Sequence, residues 1–127
     1  MKVMVFGTFD LLHEGHKYFL KKAKEHGAVV AVVARDSNVK KIKGFFPEQN
    51  EHERLKSVQQ YVDKAILGNE TDFFKVIELE KPDLLCYGYD QVQRKEELKK
   101  RGIVVKSIVI DAYMPGKYKS SLLRKNK

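Results

Sequence analysis

A single cysteine, Cys86, occurs among the 127 residues, so no internal disulfide braces the fold and the chain suits a reducing cytosol. No apolar run approaches the ~20 residues that a membrane-spanning helix needs, which excludes a span of that kind. The sequence opens directly on the strand-like Lys2-Val3-Met4-Val5-Phe6, with no secretory leader in view. Internal repeats, low-complexity tracts and linker-like stretches are missing too. What remains is one domain over 1–127, long enough to bury roughly two-thirds of its unfolded-chain surface, with the cytoplasm as its expected location.

Acidic residues are the scarcer charge: 17 Asp and Glu stand against 25 Lys and Arg, a net +8. That balance predicts attraction to anions without choosing between nucleotides, nucleic acids and phospholipid. The densest basic runs lie at 40–43, 95–101 and 117–127, and the middle one reads as a solvated helix face.

Short β-type runs alternate with longer amphipathic stretches. Strands are expected at 3–6, 29–34, 65–67, 84–87 and 104–110, and helices at 15–26, 51–61, 72–80 and 93–101. The continuous apolar run Val29-Val30-Ala31-Val32-Val33 fits a strand covered on both faces. Gly27, Gly102 and Pro82 stand where helices should stop. This alternation predicts an α/β fold, a parallel five-stranded sheet with helices on both faces. Ligands of such sheets bind beyond the carboxyl ends of the strands, where strand order reverses. Cys86 falls inside a strand and reads as a buried small hydrophobe.

The segment after the first strand is Gly7-Thr8-Phe9-Asp10-Leu11-Leu12-His13-Glu14-Gly15-His16. Gly7 permits close backbone approach, Thr8 adds a hydroxyl, and the following helix start offers unpaired N–H groups and a positive dipole end. His13 and His16, three apart, share one helical face. Two imidazoles at a helix start below a glycine turn suit the oxygens of a phosphate. Two other readings compete. A zinc site on His13 and His16 needs further ligands, and no Cys or His cluster supplies them. Alternatively both histidines are capping or surface residues. Phe9, Leu11 and Leu12 read as packing residues.

Thr8, His13, Gly15 and His16 match the T-x-x-x-x-H-x-G-H signature, and the chain resembles the cytidylyltransferase-like nucleotidyltransferases on these residues. The resemblance implies a Rossmann-like, doubly wound sheet on which Gly7, Thr8, Phe9, His13, Glu14, Gly15 and His16 form the segment that receives the triphosphate of ATP or CTP. It further implies that His13 and His16 act in catalysis. A cation after the second strand, Lys43 first and Lys40 second, would neutralise the phosphates; the polar stretch 35–44 carrying them reads as a loop. Arg54 resembles the arginine of the family's E-x-x-R helix start, where it supports the site, and a structural ion pair is the competing reading. At the end of the fourth strand, Tyr87-Gly88-Tyr89-Asp90-Gln91 places Asp90 to accept from ribose hydroxyls or help hold a metal. Near the end of the chain, Tyr118, Ser120 and Ser121 resemble the family's serine- and threonine-rich motif that closes the nucleotide site, although Lys119-Ser120-Ser121 departs from its usual I-S-T-T run.

The implied chemistry is attack of an acceptor phosphate on the α-phosphorus of a nucleoside triphosphate, assisted by a divalent ion, magnesium by expectation, with no metal cage assigned to the protein. Gly88-Tyr89-Asp90-Gln91 with Tyr118-Lys119-Ser120-Ser121 most resembles the archaeal-type FAD synthases, which transfer AMP from ATP to FMN. Glycerol-3-phosphate cytidylyltransferases and heptose-type sugar-phosphate adenylyltransferases are the alternatives. A nucleic-acid-binding module is disfavoured because no aromatic platform with interleaved basic residues is present. A homodimer is a further expectation from the family.

Overall fold

Val3, Met4, Val5 and Phe6 are all buried, although a strand's side chains alternate between faces. The explanation is a sheet covered on both sides. Val3 and Val5 join one core, Met4 and Phe6 the other. The same division recurs at Val29, Ala31 and Val33 against Val30 and Val32, and at Leu84 and Cys86 against Leu85 and Tyr87. In the computed structural model, which describes residues 1–111, these runs form β1 (Lys2–Gly7), β2 (Ala28–Val33), β3 (Lys64–Leu67), β4 (Leu84–Gly88) and β5 (Lys106–Ile110).

All neighbouring strands pair in parallel, in the order β3-β2-β1-β4-β5. Helices α1 (Glu14–Lys24) and α3 (Glu51–Gln59) cover the first core through Leu20, Ala23 and Val58. Helices α4 (Lys75–Glu80) and α5 (Lys95–Lys100) cover the second through Val76, Ile77 and Leu98. The expected doubly wound sheet is therefore present. The chain steps from β1 to β2 to β3 in one direction, then returns to place β4 on the other side of β1. Strand order reverses between β1 and β4, and the crevice lies beyond Gly7 and Gly88.

Two expectations need correction. The polar stretch after β2 is not a loop: Asp36–Lys43 is a helix, α2. Val39 is its single buried residue, and Val39 and Ile42 are its only apolar positions, a short signal within a charged stretch. Its ends were nevertheless marked, by Asp36 in the first turn, lysines in the last, and Gly44 at φ 88°. The last strand begins at Lys106, and Val104 is 99% exposed. Among the described residues no helix is long and apolar enough to cross a membrane. Tyr118, Ser120 and Ser121 lie outside the described residues.

Candidate active site

β1 delivers the chain to Gly7, and the next residues double back over the sheet. A Cβ on Gly7 would stand 2.9 Å from Phe9 Cε2 and Cζ, so the glycine is required by a ring of the protein's own. Phe9 is 2% exposed and meets the ring of His16 edge-on, at 5.6 Å between centroids. Its side chain is a support beneath the loop, as the packing reading expects.

Phe9 (φ 53°) and Leu11 (φ 48°) both occupy the left-handed region, a conformation that costs a non-glycine residue roughly 1–3 kcal/mol. Several bonds hold them there. Asp10, between the two, accepts from the backbone N–H groups of Glu48 (2.8 Å) and Gln49 (3.0 Å), and Leu11 N–H donates to Gln49 Oε1 (3.1 Å). Burial opposes the Asp10 charge, yet those two N–H groups, with Arg54 and Lys43 beyond them, hold its carboxyl below the usual range.

Arg54 closes the loop from below. It is 0% exposed and donates to Thr8 O (2.7 Å), Gln49 O (3.0 Å) and Asp36 Oδ1 (2.7 Å). The ion-pair reading is thus realised, and the same side chain also holds the carbonyls of Thr8 and Gln49. Asp36 and Glu51 in turn cap each other's helices: Asp36 N–H donates to Glu51 Oε1 (2.8 Å) and Glu51 N–H to Asp36 Oδ2 (3.2 Å). Asn50 and Glu53 complete a capping box at the start of α3.

At the start of α1 the two histidines do what Ser or Asp usually does. His13 is the N-cap, and its Nδ1 accepts from Gly15 N–H (3.1 Å); His16 Nδ1 accepts from His13 N–H (3.2 Å). Their rings stack at 3.9 Å with 24° between planes. The capping reading is correct but incomplete. A neutral imidazole that accepts through Nδ1 carries its proton on Nε2, so this pattern assigns each ring an Nε2–H donor. No described residue takes up either Nε2, nor the Thr8 hydroxyl. Burial, then the His13 ring and Lys43, against the pull of Asp10, lowers the His16 pKa to about 4, so this ring is neutral at pH 7. A Cβ on Gly15 would stand 2.9 Å from His13 Cε1, and the glycine therefore makes room for the stack. Glu14, exposed in the first turn, pairs with Lys17 at 3.5 Å.

The lysines of α2 divide their work. Lys43 carries the charge that acts on both Asp10 and His16. Lys40 Nζ instead donates to Gly44 O (3.2 Å) and lies 5.4 Å from the centre of the Phe46 ring, which commits it to the end of its own helix.

On the far side of the crevice, Gln91 has a role that its place in the sequence does not suggest. Pairing of β1 with β4 runs only to Val5 opposite Cys86. Beyond that, Gln91 Nε2–H donates to Phe6 O (2.8 Å) while its Oε1 accepts from Gly88 N–H (2.7 Å), joining the two strands at their point of reversal. Nothing in the spacing announces this; a glutamine three residues past a strand-ending glycine is the sole clue. Asp90 is exposed beside it. Cys86 is fully buried, and burial pushes its thiol up to about 11, which fits the packing role expected of it.

Among the described residues no three His, Cys, Asp or Glu side chains gather as a metal site. A groove of about 340 Å³ lined by Ile77, Lys81, Pro82, Gly102 and Val104 lies at the amino ends of β4 and β5, the wrong end of the sheet for this chemistry. The start of α1, the imidazoles of His13 and His16, the Thr8 hydroxyl and Lys43 are groups of the kind that can receive an anion. The fold is that of a Rossmann-like α/β protein, with these donors near the switch point of its sheet.

Residues 4–126 match the family model described as Cytidylyltransferase-like, and the chain belongs to that family. It is 46% identical over 123 residues to a protein named FAD synthase from Methanobrevibacter ruminantium, covering 89% of this chain and 81% of that one. It is also 46% identical over 117 residues to a FAD synthase from Ferroglobus placidus, covering 87% and 76%. A crystal structure described as the lipopolysaccharide core biosynthesis protein from Thermoplasma volcanium GSS1 superposes with a TM-score of 0.82 at 42% identity, covering 89% of this chain and 98% of that one.

Proposed function

We propose that the chain is a nucleotidyltransferase that moves AMP from ATP to FMN, giving FAD and pyrophosphate. The observation that carries the chemistry is the pair of stacked imidazoles whose Nδ1 atoms are used by the backbone, which leaves each Nε2 as the donor. The choice of acceptor rests on the relatives named FAD synthase. One phosphate oxygen of FMN attacks the α-phosphorus in line; a new P–O bond forms and the bond to the bridging oxygen of pyrophosphate breaks. An ionised phosphate needs no protein base, so the residues contribute position and neutralisation of charge.

His13, His16, Thr8 and the helix start would hold the triphosphate, with Gly7, Phe9, Glu14 and Gly15 shaping the segment around them. Lys43 would offset the charge of the departing pyrophosphate, and Arg54 would act indirectly, by holding Thr8, Gln49 and Asp36 in place. Asp90 would meet the ribose or the cation, and Tyr118, Ser120 and Ser121 are retained as contributors to the nucleotide site. The donor set does not fit a protein-only metal cage. It fits a magnesium ion carried in on the triphosphate, which supplies further neutralisation of the phosphate oxygens.

A sugar-phosphate acceptor is the second reading, favoured by the description attached to the Thermoplasma volcanium structure. Pyrophosphate release measured with ATP or CTP against FMN, glycerol 3-phosphate and a heptose phosphate separates the possibilities. FAD made from ATP and FMN is expected. Activity confined to CTP with glycerol 3-phosphate, or to the sugar phosphate, overturns the acceptor and keeps the class.

A further inference from the structure

Four large apolar side chains stand in water: Leu11 (55% exposed), Ile42 (76%), Phe45 (61%) and Phe46 (61%). None is buried in either core. Exposed apolar residues scattered singly require no explanation, whereas a concentration of them beside a site does. These four fall on two segments, 9–12 and 42–49, which Asp10 ties together through Glu48 and Gln49, and which Leu11 ties again through Gln49 Oε1. The second segment begins beside Lys43, whose charge reaches His16 and Asp10. Two exposed aromatic residues thus stand on a segment pinned to the loop that carries the histidines.

We infer that Phe45 and Phe46 form the platform on which the acceptor's fused aromatic ring lies, with Leu11 and Ile42 at its margin. The inference rests on FMN being the acceptor. FMN presents what this segment is suited to meet, a flat apolar ring system joined to a dianionic phosphate. Lys40 Nζ, 5.4 Å from the Phe46 ring centre, steadies that ring from its own helix. A second copy of the chain is a poorer occupant. The patch is flanked by Lys40, Lys41 and Lys43 on a molecule of net charge +8, so a copy brings cations against cations while FMN brings the opposite sign.

The test uses the full chain and two readouts, steady-state kinetics and quenching of FMN fluorescence on binding. Phe45→Ala with Phe46→Ala should raise KM for FMN by roughly tenfold or more, in the range that loss of aromatic stacking produces. KM for ATP should stay within about twofold, and FMN quenching should fall away. Phe45→Tyr with Phe46→Tyr should restore both. If the alanine pair fails to fold, Phe45→Leu with Phe46→Leu keeps apolar bulk, removes the aromatic faces and should lose the quenching. A wild-type chain that makes FAD beside an alanine pair with unchanged KM for FMN sinks the platform and leaves the proposed function standing. A wild-type chain that ignores FMN removes the premise itself. Conversion of a dimer to a monomer in sedimentation, with quenching intact, makes the patch an interface and overturns the inference.

Discussion

Gly15→Ala sets stability and catalysis against each other. Alanine in place of helical glycine should favour α1 by about 0.5–1 kcal/mol. The added Cβ, however, would lie 2.9 Å from His13 Cε1 and 3.2 Å from its Nδ1. An ordinary carbon contact needs about 3.5 Å, so the imidazole must retreat by about 0.6 Å. That displaces the cap to Gly15 N–H and the stack on His16. A disturbed N-cap costs about 1 kcal/mol, which offsets the helix gain and leaves stability within about 1 kcal/mol of wild type. The rings are then aimed wrongly. A misplacement approaching 1 Å costs turnover about 10²-fold, and loss of a donor about 10²–10³-fold. Urea unfolding run beside pyrophosphate release with saturating ATP and FMN measures both quantities on one preparation. Near-wild-type turnover would refute the geometric argument. Destabilisation beyond about 3 kcal/mol would refute the offset.

Three further outcomes follow from the same structure. Free histidine titrates near 6.5, but burial foremost, then His13 and Lys43, holds His16 to about 4. Between those values the unfolded chain binds more protons, so stability is complete above about pH 6.5 and declines toward pH 4 by up to ~3 kcal/mol; urea midpoints across that window should lose this slope in His16→Gln. Arg54→Met should cost roughly 3 kcal/mol in urea unfolding, since it strands the Asp36 carboxylate and the carbonyls of Thr8 and Gln49, and an unchanged midpoint would show that the guanidinium braces nothing. Gln91→Glu should lower the melting temperature at pH 7, because a carboxylate still accepts from Gly88 N–H but cannot donate to Phe6 O, and protonation near pH 5 should restore part of the loss.

The sheet was legible because each strand is short, apolar and bounded by glycine, proline or charge. The division of Val3 and Val5 from Met4 and Phe6 follows from strand geometry once both faces are covered. Helix α2 escaped because only Val39 and Ile42 are apolar among its eight residues, too short a run to stand out from a polar loop. The loop motif disclosed which residues gather and concealed how. Gly7 makes room for the Phe9 ring, and His13 and His16 close the start of α1 in the manner of caps, neither of which the motif spells out. Arg54 reaches Thr8 across 46 positions and Gln91 reaches Phe6 across 85, and no local spacing encodes such contacts.

The two imidazoles each lend one nitrogen to the fold and keep the other unspent. A helix wanting nothing but closure at position 13 would do as well or better with serine, aspartate or asparagine, which end helices without a bulky ring. Replacing His13 by Asn should therefore leave a chain that folds normally and has lost the unspent nitrogen. Folding screens alone would pass that chain, so the worth of position 13 can be seen only by an assay that supplies the anion.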